Sequence, residues 1–450
     1  MTILLFLFGV LFVAVGIAVS IALHEVGHLL PAKLFKVRVT QYMVGFGKTL
    51  FSRRRGETEY GIKAIPLGGY VSMIGMYPPA KDGHDGDGVV RRSSTGMFQQ
   101  LANDARQAEA ERLQPGDETR MFYRLPVYKR VIIMLGGPFV NLVIGTVLIG
   151  IVLVGFGTAQ ATTTISSVNK CVVPASQAAE TGQTDCLPSD PEAPATAAGI
   201  RPGDTVTAFD GKPVTDWSQL TAWIREAAGE KTPITLLRDG QEIQTSITPI
   251  LTERPVYDDA GQPVLDGQGK PVTEQAGFVG MGAATALVPR PATEVLPAVG
   301  ENLQAITGVV LHLPQRLADV AEAAFSDAPR DPNGPMSVVG VGRIAGEISA
   351  MDEIPLEARA ATLIGLVGSV NLALFVFNLI PLLPLDGGHV AGALWEAIRR
   401  TAAKLFRRPD PGPVDIAKLL PLTYVVAVVL MGMGALLIYA DIVKPVNIFG

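Results

Sequence analysis

A chain of 450 residues with 48% hydrophobic and only 18% charged side chains is not a disordered polymer, and at a net charge of −5 nothing in its balance asks for a nucleic-acid partner. A mean hydropathy of +0.32 is high for a soluble protein. Two cysteines exclude a disulfide framework and a thiolate metal site, and five histidines are few enough to take singly.

Residues 2–23 carry no charged side chain and run into His24-Glu25-Val26-Gly27-His28. A helix of about 20 apolar residues crosses the hydrocarbon core. The run lacks a basic leader and a small-residue cleavage site, so residues 1–30 read as a span and not as a cleaved signal. His24 and His28 project from one helical face and could share an ion, with Glu25 beside them to take a proton from a water on that ion. Ionisable groups within a span cost on the order of 2.5–3.5 kcal/mol each. Short histidines also snorkel poorly. Metal binding therefore explains the cluster better than an interfacial polar patch.

Residues 31–130 open with Lys33, Lys36 and Arg38 and close with Arg124, Lys129 and Arg130. From about 49 to 76 the pattern shortens to alternation. Leu50-Phe51-Ser52, the turn Arg53-Arg54-Arg55-Gly56 and a strand from Glu59 to Ala64 read as a hairpin, followed by Ile65-Pro66-Leu67-Gly68-Gly69-Tyr70. Residues 79–122 read as a solvated insertion with a helix over 102–113 and His84 in a Gly/Asp-rich loop. A second span covers 131–157. The segment 158–359 carries 26 Asp/Glu against 13 Lys/Arg, as a solvated acidic domain does. Within it, a helix is expected at 218–228, strands at 234–237 and 242–247, and two similar turns between 258 and 273. A mostly apolar helical stretch at 295–325 is interrupted at Pro314.

The third span, 360–389, ends in Asp386-Gly387-Gly388-His389, with Arg399, Arg400 and Lys404 beyond it; the fourth covers 419–441. Cations flanking the spans place 31–130 and 390–418 in the cytoplasm, and 158–359, the tail 442–450 and both termini outside. Cys171 and Cys186 fall outside, where a disulfide is permitted and two unpaired thiols are the alternative. Spans one and three both run inward, so Asp386 reaches the depth of His24 and His28 and offers the third ligand that a catalytic zinc needs. His312 is barred by this topology. His389 reads either as support for the site or as a simple flanking residue. Pro381 and Pro384 break the helix, which is tolerated where backbone lines a cavity.

His24-Glu25-x-x-His28 together with Asn378-x-x-Pro-x-x-Pro-Leu-Asp386-Gly resembles the site-2 protease family of intramembrane zinc metalloproteases. Gly137-Pro138-x-x-Asn141 is similar to a further motif of that family. Gly334-Pro335-Met336-Ser337-Val338-Val339-Gly340 and a single PDZ unit resemble the regulator-of-sigma-E protease branch, especially its actinobacterial members. The resemblance implies a four-helix polytopic membrane protein with a re-entrant β-hairpin on the cytoplasmic side. It implies an extracytoplasmic α+β PDZ domain over 158–290, around Ala197-Ala198-Gly199-Ile200-Arg201-Pro202-Gly203-Asp204, and an amphipathic or clamp region over 291–359.

By the same resemblance, Zn²⁺ is held by His24, His28 and Asp386, Glu25 is the general base, and Asn378 contacts the substrate backbone. Gly68, Gly69 and Tyr70 of the hairpin would pair with an unwound substrate strand. The implied activity is intramembrane cleavage of a single-span regulatory protein, such as an anti-sigma factor, already cut outside by a site-1-type protease. A non-catalytic PDZ adaptor with a structural zinc is the alternative, but structural zinc normally takes four protein ligands. A metal-ion transporter would need intramembrane carboxylates beyond those named.

Overall fold

The computed structural model describes residues 2–76, 78, 113–174, 177, 186–256, 264, 271–326, 330–331, 334–351 and 354–446. The helix expected over 102–113 and most of the paired turns at 258–273 lie outside these residues. The chain divides into two units, Met1–Phe156 with Arg290–Gly450, and Gly157–Pro289.

Among the described residues of the first unit, four helical segments are long and apolar enough to cross a membrane: Thr2–Leu34, Val127–Phe156, Leu356–Asn378 and Ile416–Val443. Helix α1, Thr2–Leu34, continues past the metal motif and through Pro31. Helix α2, Val127–Gly150, ends in a wider turn at Ile151–Phe156. The two cross where Gly27 meets Gly136. A side-chain carbon at Gly27 would lie 2.3 Å from the Gly136 carbonyl oxygen, and one at Gly136 would lie 2.0 Å from that of Gly27. Small residues let helices in lipid approach this closely.

Helices α4, Val295–Leu311, and α5, Leu313–Phe325, break at His312 and not at Pro314. Pro314 sits in the first turn of α5, where its missing N–H has no intrahelical partner to lose. Helix α6, Val338–Ala350, is Gly-rich and packs on α1; a side chain at Gly9 would run into the Ala345 carbonyl. Helix α7, Leu356–Asn378, ends well before the 389 expected for this span, because Pro381 and Pro384 cannot donate to helical carbonyls. It is tied to α1 by buried Asn371, which donates to Ser20 Oγ at 2.9 Å.

Helix α8, Asp386–Leu405, fills much of the segment read as a loop, and α9, Leu420–Val443, follows. Its buried Glu396 (0% exposed) accepts two bonds from Arg130 of α2, at 2.5 and 3.0 Å, and one from the Val414 N–H at 3.0 Å. This pair fastens α8 to α2.

The hairpin is longer than its alternation indicates, with β1 at Val39–Arg55 and β2 at Thr58–Met73. Both strands bend. Residues 41–44 pair with 69–72 on one side and with 59–62 on the other, while 49–55 pair with 58–63. Gly45, Gly47 and Gly68 sit near these bends at φ of +93°, +82° and +110°. The result is a curled ribbon in which 69–73 forms an edge, with no strand on its other side among the described residues.

The second unit contains β3 (Thr158–Val168), β4 (Thr205–Phe209), β5 (Lys212–Pro213), α3 (Trp217–Glu226), β6 (Thr232–Arg238), β7 (Gln241–Ile247), β8 (Ile250–Pro255), β9 (Thr273–Phe278) and β10 (Met281–Val288). The sheet order is β10-β3-β4-β6-β7, with β5 beside β4, and β8–β9 form a separate hairpin. Alternation along β6 buries Ile234 and Leu236, which meet Phe209, Leu220 and Ile224 in one core. Cys171 and Cys186 are disulfide-bonded, which decides between the two alternatives.

Buried Asp204 accepts from Arg238 Nε and from a second guanidinium nitrogen at 2.7 and 2.8 Å, and from the Arg201 N–H at 2.7 Å. The hydrogen bonds from Arg238 hold its carboxyl below the usual carboxylate range.

Two predictions arise here. Glu396→Ala leaves Arg130 buried without its partner and destabilises the first unit by about 3–5 kcal/mol, read as a lower unfolding temperature of the detergent-solubilised chain. For Asp204 the stabilising contribution is complete above the ordinary carboxylate pKa of about 4 and is lost as pH falls through its lowered value. Asp204→Asn therefore costs about 1–3 kcal/mol at neutral pH. It also flattens acid loss of β4 and β6 amide protection, measured by hydrogen exchange.

Candidate metal centre

Three elements supply the site. The helical spacing of α1 puts His24 and His28 on one face, their rings 4.9 Å apart and edge to face. The irregular stretch 379–385 carries the chain from α7 to the start of α8, where Asp386 is the first helical residue. A carboxylate at a helix N-terminus is favoured by the exposed N–H groups and the dipole there. The third element, α2, faces both imidazoles. His28 Nδ1 donates to the Ile133 carbonyl at 2.8 Å, which leaves Nε2 as a lone pair aimed inward. His24 Nδ1 lies 3.1 Å from the Asn141 side-chain nitrogen.

The three inward atoms form a nearly equilateral triangle. His24 Nε2 and His28 Nε2 are 3.2 Å apart, and Asp386 Oδ2 lies 3.3 Å from the first and 3.4 Å from the second. Tetrahedral zinc with bonds of about 2.0–2.1 Å has ligand-to-ligand edges of roughly 3.3–3.4 Å. The triangle therefore has the size of one face of such a coordination sphere. Asp386 Oδ2 is sealed from solvent, and no described group meets hydrogen-bond geometry with it. A buried anionic oxygen this close to two imidazole nitrogens needs positive charge beside it, which a metal ion held by all three would supply. The donor set thus fits zinc, and these three form the group among the described residues that could hold a metal ion.

Gly137 of α2 borders the triangle. A side-chain carbon there would lie 2.3 Å from His28 Nε2 and 2.7 Å from His24 Nε2. The position tolerates no side chain while both rings face inward.

A cleft of about 360 Å³ opens onto the triangle, lined by Glu25, Gly69, Tyr70, Asn378 and His389 as well as the three ligand candidates. Glu25 is buried, and Gly69 of the hairpin edge approaches it so closely that a side-chain carbon would sit 2.8 Å from Glu25 Cγ. Gly68 turns the other way, toward Phe46. Of the eight residues expected to act as base, metal ligands or substrate contacts, Gly68 is thus the one that does not line the cleft. Reasoning from the sequence left Asn141 and Gly137 without a role, because their motif says nothing of which ring they touch. His84 lies outside the described residues. His312 caps the end of α4, its ring bonded to the Gly308 carbonyl. His389 lines the cleft with its Nδ1 buried and unpartnered among the described residues.

The profile of peptidase family M50 matches residues 12–408. The chain belongs to this family, the site-2 proteases. It is 33% identical to the zinc metalloprotease Rip1 of Mycobacterium tuberculosis over 452 aligned positions, covering 99% of this chain and 100% of that protein. It is 25% identical to the metalloprotease MmpA of Caulobacter vibrioides, over 88% of each chain. It is 23% identical to the zinc metalloprotease RasP of Shouchella clausii, over 85% of this chain and 88% of that one. The protein is therefore a multi-pass membrane metalloprotease whose metal is zinc.

Gly137→Ala is expected to lower zinc content of the purified chain to near background while helix content is retained. Metal analysis alongside circular dichroism checks it, and full zinc occupancy in the variant would contradict the packing described.

Proposed function

We propose that the protein hydrolyses a peptide bond within or beside the transmembrane segment of a single-span regulatory protein, with His24, His28 and Asp386 as zinc ligands and Glu25 as general base. The observation that carries this reading is the convergence of those four residues on one cleft in a chain with four membrane-length helices. Zinc, when bound, acidifies a water and polarises the scissile carbonyl. Glu25 accepts the proton of the attacking water and passes it to the leaving nitrogen. Its burial keeps bulk water from competing for that proton.

A helical substrate hides its peptide bonds in its own hydrogen bonds and must unwind before cleavage. The edge formed by 69–73 would supply replacement backbone partners, with Gly69, Tyr70 and Asn378 all lining the cleft that receives the scissile bond. The exposed apolar side chains Phe46, Leu50, Phe51, Ile62 and Ile65 support a hairpin that dips into the bilayer. In this reading the cleft faces the cytoplasm and both termini lie outside, as the flanking cations require.

The second unit we read as an extracytoplasmic PDZ domain, with its groove between α3 and the Phe278–Met281 stretch. It would bar proteins whose outer part has not been removed by a site-1-type protease, and an anti-sigma factor fits the substrate class.

The test is Glu25→Gln in the full chain. The carboxamide keeps the fold and zinc content but lowers cleavage of a shortened single-span substrate by about 10²–10⁴-fold. Undiminished turnover removes Glu25 from the chemistry.

A further inference from the structure

We infer that Asn141 is a positioning residue for the metal: its side-chain oxygen fixes His24 in the tautomer that ligates zinc. The inference rests on the zinc reading of the site and adds to it the residue that orients one ligand. When Nε2 of a histidine binds a metal as a lone pair, Nδ1 must carry the proton, and that N–H needs an acceptor in a buried site. His28 has one in the Ile133 carbonyl, 2.8 Å away. For His24, the group within reach is the Asn141 amide, at 3.1 Å. Asn141 is 1% exposed, and its other amide atom, Oδ1, meets no partner among the described residues.

An amide presents oxygen or nitrogen across the same contact by turning over, and its neighbours decide which. Among the described residues no second partner competes, so His24 sets the choice. A protonated Nδ1 selects Oδ1. Both imidazoles are then held by acceptors on the same helix, spaced so that each Nε2 faces Asp386. The arrangement differs from an ordinary interhelical polar contact, which would have both ends of the amide satisfied.

The experiment measures zinc affinity of the full chain in detergent by competition with a chelator, beside the thermal stability of the metal-free form. Asn141→Leu keeps volume but offers no acceptor, and is expected to weaken zinc binding about 10–100-fold while metal-free stability holds. Asn141→Asp, which can only accept, should bind zinc at least as tightly as the natural residue. Should Asn141→Leu fail to fold, Asn141→Ala answers the same question. Unchanged zinc affinity in the apolar variants would overturn the inference, as would equal weakening in a folded Asn141→Asp. If the unaltered chain bound no zinc, the site reading itself would fall and the inference with it.

Discussion

Three atoms that repel one another sit at 3.2–3.4 Å: two imidazole nitrogens and a carboxylate oxygen, brought together from the two ends of the chain. Little else in the first unit makes sense without that triangle. Holding lone pairs together in a medium that screens poorly is unfavourable unless a cation occupies the centre. The fold must therefore press three elements together hard enough to wait for the metal. Helix α2 is the anvil. Its Gly136 admits the α1 backbone, Gly137 leaves room for both rings, Ile133 and Asn141 meet their outer nitrogens, and Arg130 fastens the helix that begins at Asp386.

The other polar groups of the first unit obey the same constraint. In lipid an unpaired donor or charge is expensive, and several of the polar side chains inside are matched across helices. Asn371 reaches Ser20 between α1 and α7. Buried Asp441 of α9 pairs with Arg330 at 2.6 Å and accepts from the N–H and Oγ of Ser337, at the foot of α6. This gives the Gly334-Pro335-Met336-Ser337 stretch a structural use: it caps α6 and clips the α9 end in one network. Such pairs add little net stability over apolar packing, but they define which helix faces which.

Much of this was legible in the residues alone, for a physical reason. Hydrophobic runs of membrane length have few alternative explanations, and His24, Glu25 and His28 at the end of one are too costly to be incidental. Asp386 followed from topology, since parallel spans end at one depth. What escaped reading was set by tertiary contact. Helix α8 carries many charged side chains among its apolar ones; its buried Glu396 is tolerated because Arg130 from a distant segment, Arg400 and the Val414 N–H all meet it. Helix α6 has glycines that argue against a helix in isolation and favour one against α1. The strands β1 and β2 run beyond the alternating stretch because backbone pairing continues around glycine bends that carry no periodic signal. Gly137 shows the limit: its importance lies in an absent side chain, and only the neighbouring rings reveal it.

The hairpin edge and the metal triangle also bear on each other. Gly69 stands against Glu25 with no room for a side chain, so the ribbon that would receive a substrate strand also forms one wall of the base's pocket. A carboxylate placed this way is shielded from bulk water yet adjacent to any strand that adds to residues 69–73. In the proposed reaction, extension of the substrate and placement of its scissile bond beside the three ligand candidates and Glu25 then become one event. A segment that stayed helical would satisfy its own backbone and gain nothing from the edge, so the enzyme would discriminate by how readily a transmembrane helix unwinds.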